Sequence, residues 1–331
     1  MSDRKIIFSG IQPSGTLTLG NYLGALRNFV KLQDEYDCYF SIVDLHAITV
    51  RQEPALLRQH ILDLASVYIA AGIDPEKNVI FIQSHVPQHA ELNWVLNCFT
   101  YIGELNRMTQ FKDKSEKHQD NLNSGLLTYP VLMASDILLY QTDLVPVGSD
   151  QKQHLELTRD IAIRFNNIYG DVFKIPEGYI SKEGARIMSL QNPLSKMSKS
   201  DENQNAFISI LDGPDVIRAK IRRAVTDSEA EISFDPENKP GVSNLLSIYA
   251  TSSGKSIEDA VKDLEGQGYG ALKEATAEAV VNVLKPLQER YKEIRSEKQY
   301  LMDILSKNAD IARYNANKTL NKVFKKVGFI R

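Results

Sequence analysis

Short apolar runs alternate with longer amphipathic stretches over the first half of the chain. Four runs have the length and composition of buried strands, at residues 5–9, 38–43, 79–83 and 143–147. Between them, apolar residues recur at helical spacing over residues 21–34, 54–71 and 90–101. Strands that alternate with helices of this length predict an α/β fold with a doubly wound parallel sheet, covered on both faces. Ligands bind such a sheet beyond the carboxyl ends of its strands, so we expect functional residues to follow each strand.

The pattern changes after about residue 190. A polar stretch with lysines and serines, residues 192–205, precedes a region of mainly helical patterns. These patterns cover residues 214–225, 256–264, 271–296 and 300–327, whereas residues 227–243 are polar and rich in turn formers. We therefore predict a catalytic α/β domain over residues 1–191, a mobile loop over 192–205 and a helical domain over 206–331.

Composition and charge exclude several classes of protein. The 331 residues are 43% hydrophobic and 24% charged, which is ordinary for a globular protein and excludes extensive disorder. The net charge of −3 excludes a uniformly basic nucleic-acid binder. Basic residues nevertheless concentrate in residues 311–331, which hold no acidic residue, and at Arg218, Lys220, Arg222 and Arg223. Each group fits either a phosphate-binding surface or a solvated helix face.

Cysteine usage and hydropathy indicate a cytoplasmic protein. Cys38 and Cys98 lie in apolar contexts outside any Cys-x-x-Cys pair, so we expect reduced core thiols and no zinc site. No apolar stretch approaches the ~20 residues that a membrane span requires, and the apolar run near the N-terminus is too short for a signal peptide. We therefore expect no membrane partner.

A turn rich in glycine and serine follows the first predicted strand, at residues 9–22 (SGIQPSGTLTLGNY). A strand, such a turn and a helix N-terminus together form an anion-binding arrangement. Gly10 and Gly15 have the spacing of a P-loop, but Thr16 stands where its lysine belongs, and no Gly-x-Gly-x-x-Gly is present. The turn alone therefore predicts either a nucleotide site or only a tight connection.

Two lysines lie three residues apart among hydroxyl side chains in residues 196–200 (KMSKS). On a flexible loop, such lysines can close over a polyphosphate and neutralise the charge that develops on leaving pyrophosphate. The alternative for a lysine- and serine-rich segment is a solvated loop.

A single carboxylate lies in the apolar segment 126–141 (LLTYPVLMASDILLYQ). Helical spacing places Tyr129, Met133, Asp136 and Tyr140 on one stripe. A buried ionised carboxylate needs a partner, which for Asp136 could be a helix N-terminus, an arginine or a ligand N–H group. An internal salt bridge and a ligand contact both remain open from the residues alone.

Taken in order, six segments resemble the bacterial tryptophanyl-tRNA synthetases, a family of class I aminoacyl-tRNA synthetases. They are residues 9–22, 43–47, 103–111, 125–140, 147–154 and 196–200. Residues 18–21 (TLGN) occupy the place of the His-Ile-Gly-His signature of the class, with both histidines replaced. The resemblance implies a Rossmann-like, HUP-type catalytic domain, a C-terminal helical domain that recognises the tRNA anticodon, and a homodimer whose subunits meet at the central insertion.

The resemblance also implies the reaction. The family activates L-tryptophan with ATP and Mg²⁺, which is bound through the ATP phosphates, and then transfers the aminoacyl group to the 3′-terminal adenosine of tRNA(Trp). DNA is not an expected partner. The tryptophan carboxylate attacks the α-phosphorus in line and releases pyrophosphate. Because that carboxylate is already a nucleophile, catalysis needs positioning and charge stabilisation rather than a general base.

Site residues follow from the resemblance, position by position. Asp136 would accept the indole N–H, while Tyr129 and Gln151 would hold the amino and carboxylate ends of tryptophan. The ring would be enclosed by Phe8, Met133, Val145 and Val147. The groups around ATP would be Gln12, Pro13, Ser14, Gly20, Asn21, Gly148, Ser149, Asp150, Ile187, Lys196, Met197, Ser198, Lys199 and Ser200. Lys196, Ser198 and Lys199 would be catalytic, since they would surround the β- and γ-phosphates.

Three alternatives remain. A tyrosyl-tRNA synthetase would need a second hydroxyl partner in the pocket, which Phe8 does not supply. A small-molecule nucleotidylyltransferase usually retains a histidine of the first class signature and lacks the helical domain. A non-catalytic RNA-binding paralogue would have no reason to keep Lys196, Lys199 and Asp136. Among the histidines, His46 follows a strand end and is expected near the pocket, whereas Pro87 argues against a helical metal site at His85 and His89.

Overall fold

Five parallel strands form the central sheet of the protein, seen in a computed structural model that describes residues 4–111, 122–148, 151–179, 186–229 and 231–330. The strands are β1 (Ile6–Ile11), β2 (Asp37–Ile42), β3 (Val79–Ile82), β4 (Leu144–Pro146) and β5 (Glu177–Tyr179). Their order across the sheet is β3-β2-β1-β4-β5. The four predicted strands are confirmed. The short β5 was not predicted because two of its three residues are exposed, so it carries no apolar run.

Both faces of the sheet are buried, as predicted for a doubly wound parallel sheet. Successive strand residues belong to different apolar clusters: Ile7 and Phe40 pack in one, while Phe8 and Tyr39 pack in the other. This assignment follows from the alternation of side chains along a strand, which sends neighbours to opposite faces. The apolar runs are continuous because neither face meets water.

Helices connect the strands and cover the two faces. They are α1 (Leu19–Asn21), α2 (Arg27–Leu32), α3 (Asp44–Ala47), α4 (Pro54–Ala70), α5 (Gln88–Asn97), α6 (Ile102–Asn106), α7 (Ser124–Leu138) and α8 (Lys152–Tyr169). A π-helical turn, Tyr22–Leu26, joins α1 to α2, so the helix predicted over residues 21–34 is not continuous. Glu53 begins α4 by accepting hydrogen bonds from the backbone of Ala55 and Leu56.

The second half of the described chain is helical. Its helices are α9 (Pro214–Arg222), α10 (Pro240–Ser253), α11 (Ile257–Asp263), α12 (Tyr269–Ser296) and α13 (Lys298–Val327). Helix α10 was not predicted, because eight of its residues are buried on several sides and show no clear amphipathic period.

The last helix returns to the sheet. Leu301 and Leu305 of α13 pack in the cluster that the helical region shares with one sheet face, whereas Ala316 and Leu320 pack with Phe81 in the other. Helix α13 therefore covers the edge strand β3, whose free backbone groups would otherwise be open to pairing. The division at residue 206 remains a prediction, with the last helix in contact with both regions.

One cysteine prediction is wrong. Cys38 is buried on β2, but Cys98 is exposed. Cys98 lies one helical turn after the exposed Trp94, and its Sγ is 3.6 Å from the Trp94 carbonyl oxygen. The apolar residues around Cys98 in the sequence are therefore partly surface residues. In the described part of the chain, no helix is long and apolar enough to cross a membrane, and no group of three His, Cys, Asp or Glu side chains is placed to hold a metal.

Candidate active site

A cavity of about 450 Å³ opens at the carboxyl ends of β1 and β4. These strands are neighbours in the sheet, and the chain order reverses between them, which is where doubly wound sheets bind ligands. The structure brings all seven predicted tryptophan-binding residues to the cavity wall: Phe8, Tyr129, Met133, Asp136, Val145, Val147 and Gln151. Gln12 and His46 also line it.

Asp136 is the buried carboxylate of this cavity, with 2% of its surface exposed. Gln83 Nε2 donates to its Oδ1 at 2.6 Å, His89 Nδ1 lies 2.6 Å from the same oxygen, and His46 Nε2 lies 2.7 Å from Oδ2. The partners are thus two histidines and an amide, rather than the helix N-terminus or arginine considered from the sequence.

The electrostatics of Asp136 favour the ionised form. Burial raises the pKa of the carboxyl group, but the charge of His46 and the hydrogen bonds from His46 and His89 outweigh burial and leave the pKa below its usual value. A carboxylate has about four acceptor positions. Two on Oδ1 and one on Oδ2 are used by described residues, which leaves one acceptor position on Oδ2.

Hydrogen bonds between the segments that follow β2 and β3 hold two of the Asp136 partners, Gln83 and His46, in place. Gln83 is the first residue after β3, and its Oε1 accepts the backbone N–H of Leu45 at 3.1 Å. Asp44 accepts the backbone N–H of Ser84 at 2.9 Å. These bonds tie α3, which carries His46, to the end of the neighbouring strand.

Tyr129 lies two turns before Asp136 on α7, and its hydroxyl is 2.8 Å from His154 Nε2. His154 is fully buried on α8. The ring of His46 meets that of Tyr129 edge to face at 6.2 Å. Burial raises the pKa of the Tyr129 phenol, so its hydroxyl stays protonated.

Residues 18–21, here called the first signature, form the start of α1. Thr18 caps the helix by accepting the Asn21 N–H at 3.2 Å, and Asn21 Oδ1 accepts the Thr18 N–H at 3.0 Å. Asn21 Nδ2 has no partner among the residues that the structure describes, so this donor is available. In the turn before the signature, Gly15 has φ +116°, a left-handed conformation that favours glycine.

Residues 196–200, here called the second signature, lie directly against the first. The Met197 N–H donates to the Ile187 carbonyl at 3.1 Å, and Met197 is buried. A Cβ atom on Gly20 would stand 3.5 Å from Ile187 and 3.6 Å from Met197, so the turn packs on both side chains. Lys199 Nζ donates to the Gly15 carbonyl at 3.3 Å, which joins the second signature to the turn before the first.

The two lysines of the second signature differ in environment. Lys196 is exposed, whereas Lys199 is partly buried and burial lowers the pKa of its ammonium group to about 8. Ser198 and Ser200 are exposed and hydrogen-bonded to each other at 2.8 Å. This region can hold an anion because it presents lysines, hydroxyls and a helix start together.

The remaining predicted ATP residues are distributed around these groups. Pro13 and Ile187 are buried, Gln12 is half-buried, and Ser14 is exposed. Gly148 is exposed just after β4, at the same edge of the sheet as the cavity. Ser149 and Asp150 lie outside the described residues.

Sequence reasoning missed Gln83 and treated His89 only as half of an unlikely metal pair. The signal for Gln83 was available, because it is the last residue of the strand predicted over residues 79–83 and strand ends carry the site. His89 had no such local signal, since it lies one residue inside α5 and reaches Asp136 only through the packing of α5 on α7.

Comparison with known proteins decides the family. The model of the tRNA synthetases class I (W and Y) matches residues 2–285. A tryptophan–tRNA ligase of Clostridium acetobutylicum is 59% identical over 329 residues, which cover 99% of this chain and 98% of that protein. The chain belongs to the bacterial tryptophanyl-tRNA synthetase family.

Solved members of the family share the whole architecture. The tryptophanyl-tRNA synthetase of Mycoplasma pneumoniae is 38% identical with a TM-score of 0.89, over 99% of this chain and 98% of that chain. The enzyme of Campylobacter jejuni, solved as a complex with ADP and tryptophan, is 36% identical with a TM-score of 0.84, over 98% of this chain and 100% of that chain. The predicted family and fold class, an α/β catalytic unit with C-terminal helices, are therefore confirmed.

Proposed function

We propose that the cavity between β1 and β4 is the tryptophan site of this chain and that the two signatures beside it bind ATP. The activity is that of a tryptophan–tRNA ligase, as the family membership and the 59% identity over nearly the full length establish. This activity sets aside the tyrosyl, nucleotidylyltransferase and non-catalytic alternatives. The observation that carries the proposed site is Asp136, a buried carboxylate with one remaining acceptor position in a largely apolar cavity.

Tryptophan suits this cavity because of its shape and its one ring donor. Phe8, Val145 and Val147 offer apolar surface to a flat ring, and the acceptor on Asp136 matches the indole N–H. A site built around such a hydrogen bond rejects a ring that lacks the donor, by up to about 10⁴–10⁵. Tyr129 and Gln151, at the cavity wall, are placed for the amino and carboxylate ends.

ATP enters with Mg²⁺ on its phosphates, as one substrate. In the proposal, residues 12–14, Gly20 and Asn21 contact the nucleotide from the first signature and the turn before it, and Ile187 and Gly148 also contact it. Lys196, Ser198 and Lys199 surround the β- and γ-phosphates. The Lys199 contact with Gly15 supports this arrangement, because it brings an ammonium group to the glycine turn.

The reaction then proceeds without a general base. A carboxylate oxygen of tryptophan forms a bond to the α-phosphorus while the bond between that phosphorus and the bridging oxygen of pyrophosphate breaks. The lysines neutralise the charge that develops on the leaving pyrophosphate. In the second step, a hydroxyl of the 3′-terminal adenosine of tRNA(Trp) attacks the activated carbonyl carbon and AMP leaves.

The exposed face of α13 supports the proposed tRNA partner. Lys318, Lys322, Lys325 and Lys326 are exposed there, while Ala316 and its neighbours on the opposite face are buried. Lys318 Nζ lies 4.1 Å above the centre of the exposed Tyr314 ring, a pairing of cation and aromatic surface that single-stranded RNA uses. Charge reversal of Lys322 and Lys325 is expected to weaken tRNA charging and to leave tryptophan-dependent exchange intact.

The second basic group is less available. Arg218 donates to Glu278 at 2.7 Å and Lys220 to Asp212 at 2.7 Å, so internal ion pairs use both side chains. Arg222 and Arg223 are exposed. We therefore assign the proposed phosphate contacts mainly to α13.

A homodimer is part of the proposal. Trp94 is 71% exposed and Ile102 is 70% exposed, on the neighbouring helices α5 and α6, and Tyr101 lies between them in sequence at 62%. Three large exposed apolar side chains in one segment favour an interface with a second copy. Trp94→Glu is expected to shift the protein to monomer in sedimentation velocity. The cytoplasmic location expected from the sequence completes the proposal, since aminoacylated tRNA is used there.

ATP–pyrophosphate exchange tests the proposed function. Wild-type protein with Mg²⁺ is expected to exchange label with tryptophan and not with tyrosine or phenylalanine. Asp136→Ala is expected to lose tryptophan-dependent exchange, whereas the control Asp160→Ala, an exposed carboxylate on α8, should behave as wild type. Exchange with tyrosine in the wild type, or full activity in Asp136→Ala, would contradict the proposed pocket.

A further inference from the structure

His89 is a fully buried histidine with hydrogen bonds at both ring nitrogens. Its Nδ1 lies 2.6 Å from Asp136 Oδ1 and its Nε2 lies 2.8 Å from the Tyr140 hydroxyl. The side chain does not line the cavity, so it reaches the proposed tryptophan site only through Asp136. Asp136 and Tyr140 are four residues apart, and His89 bridges them across the packing of α5 on α7.

The partners determine which nitrogen carries the proton. An ionised carboxylate only accepts hydrogen bonds, so the Nδ1 that faces Asp136 is protonated and donates. Burial and the nearby Asp136 charge raise the pKa of the Tyr140 phenol well above its ordinary value, so the hydroxyl keeps its proton. The Tyr140 hydroxyl fills the remaining hydrogen-bonding position of the ring, at Nε2.

The bridge is held in place from both sides. The Tyr140 ring is stacked on Phe8 with centres 5.7 Å apart and on Tyr39 with centres 4.4 Å apart. The hydroxyl of Ser135, the residue before Asp136, donates to the His89 carbonyl at 2.7 Å. Both the ring and the backbone of His89 are thereby fixed relative to α7.

We propose that His89 is a positioning residue that holds the carboxylate of Asp136 in the orientation required to accept the indole N–H, and that Tyr140 occupies its other ring nitrogen. The inference rests on the proposed tryptophan site. Gln83 alone would leave Oδ1 with one donor and the carboxylate freer to rotate. Rotation would misalign the remaining acceptor on Oδ2, so discrimination by the indole N–H would fall while binding of the apolar ring would persist.

Two amide substitutions separate this role from simple packing. In His89→Asn, the side-chain amide nitrogen can occupy the place of Nδ1 and donate to Asp136. In His89→Gln, the longer side chain places its amide near Nε2 and withdraws the donor from Asp136. Tyr140→Phe keeps the stacked ring and removes only the hydroxyl at Nε2, so the Nδ1 donor that Asp136 requires is retained.

The readout is the ratio of kcat/KM for tryptophan to kcat/KM for its benzothiophene analogue, in which sulfur replaces the ring N–H, measured in the exchange assay. His89→Gln is expected to lower this ratio about tenfold or more, the size of one charge-assisted hydrogen bond, whereas Tyr140→Phe keeps the donor to Asp136 and should stay within about threefold of wild type. His89→Asn should stay within about threefold of wild type. The KM for ATP should be unchanged in all three.

A purely structural role predicts a different result. It would lower kcat/KM for both substrates equally, or affect His89→Asn as much as His89→Gln, and either outcome overturns the inference. If His89→Gln is unfolded by circular dichroism, His89→Leu, which also lacks the donor, takes its place in the comparison. Failure of the proposed function is distinguishable, because the wild-type protein itself would then show no tryptophan-dependent exchange.

Discussion

The ammonium group of Lys199 gives the site a testable pH dependence. Burial disfavours the charged form of a lysine and lowers the pKa of Lys199 from 10.5 to about 8. The proposed role requires the protonated form, because only an ammonium group can neutralise phosphate charge. Activity should therefore be present below pH 8 and be lost as the pH rises through that value.

The size of the effect follows from the titration curve. With a pKa of about 8, about nine-tenths of Lys199 is protonated at pH 7 and about one-tenth at pH 9. We expect kcat/KM for ATP in tryptophan-dependent exchange to fall about tenfold between these values, because this constant reports the free enzyme. Bound triphosphate raises the pKa of a neighbouring ammonium group, so kcat at saturating ATP should decline at higher pH.

Two arginine variants identify the group. Lys199→Arg carries a guanidinium that stays protonated over this range, so its alkaline decline should disappear even if its rate is lower. Lys196→Arg is the matched control on the exposed lysine of the same signature and should keep the decline. A flat kcat/KM profile in the wild type, or a decline that persists unchanged in Lys199→Arg, would refute the assignment.

Three further predictions concern stability, measured as the free energy of unfolding in urea. Gly241→Ala should cost about 1–3 kcal/mol, because its Cβ would stand 2.2 Å from the Val225 carbonyl oxygen, whereas Gly270→Ala, with open space around it, should be neutral or gain up to about 1 kcal/mol. Equal effects of the two would contradict the steric argument. Gln288→Ala should cost about 1–3 kcal/mol, because the backbone carbonyls of Ile210 and Asp212 lose the side-chain amide that donates to both. An unchanged urea midpoint would mean that water replaces the lost amide. Asp63→Ala should cost a similar amount, because it removes the α4 carboxylate that accepts hydrogen bonds from Tyr291 and Arg295 of α12. Wild-type stability in this variant would show that these bonds do not stabilise the fold.

Local sequence patterns determined most of the strands and the two signatures. A strand that is buried on both faces needs a continuous apolar run, and runs of five or six such residues between helical patterns made β1 to β4 predictable. The signatures are short segments whose residues act together as neighbours in the chain. Helix α8 also carries a readable period, in the burial of Leu155, Thr158, Ala162 and Phe165, although it was not predicted.

Tertiary structure decided what surrounds the key carboxylate. The donors to Asp136 come from positions 90, 53 and 47 residues away in the chain, on three different elements. No local pattern encodes such a meeting, because it depends on which helix packs on which strand. The same holds for α13, whose Ala309 and Ala316 pack on the sheet face 230 and 237 residues after Val79, where β3 begins.

The sequence alone identified the Asp136 carboxylate as an acceptor with apolar surroundings, since a lone aspartate in an apolar helix needs a partner whatever the fold. Only the folded chain showed that His46, Gln83 and His89 occupy three of the roughly four acceptor positions, and that the rest of the described chain leaves one open. The physical reason is that hydrogen bonds act over about 3 Å, a distance that folding, and not sequence spacing, determines for residues far apart in the chain.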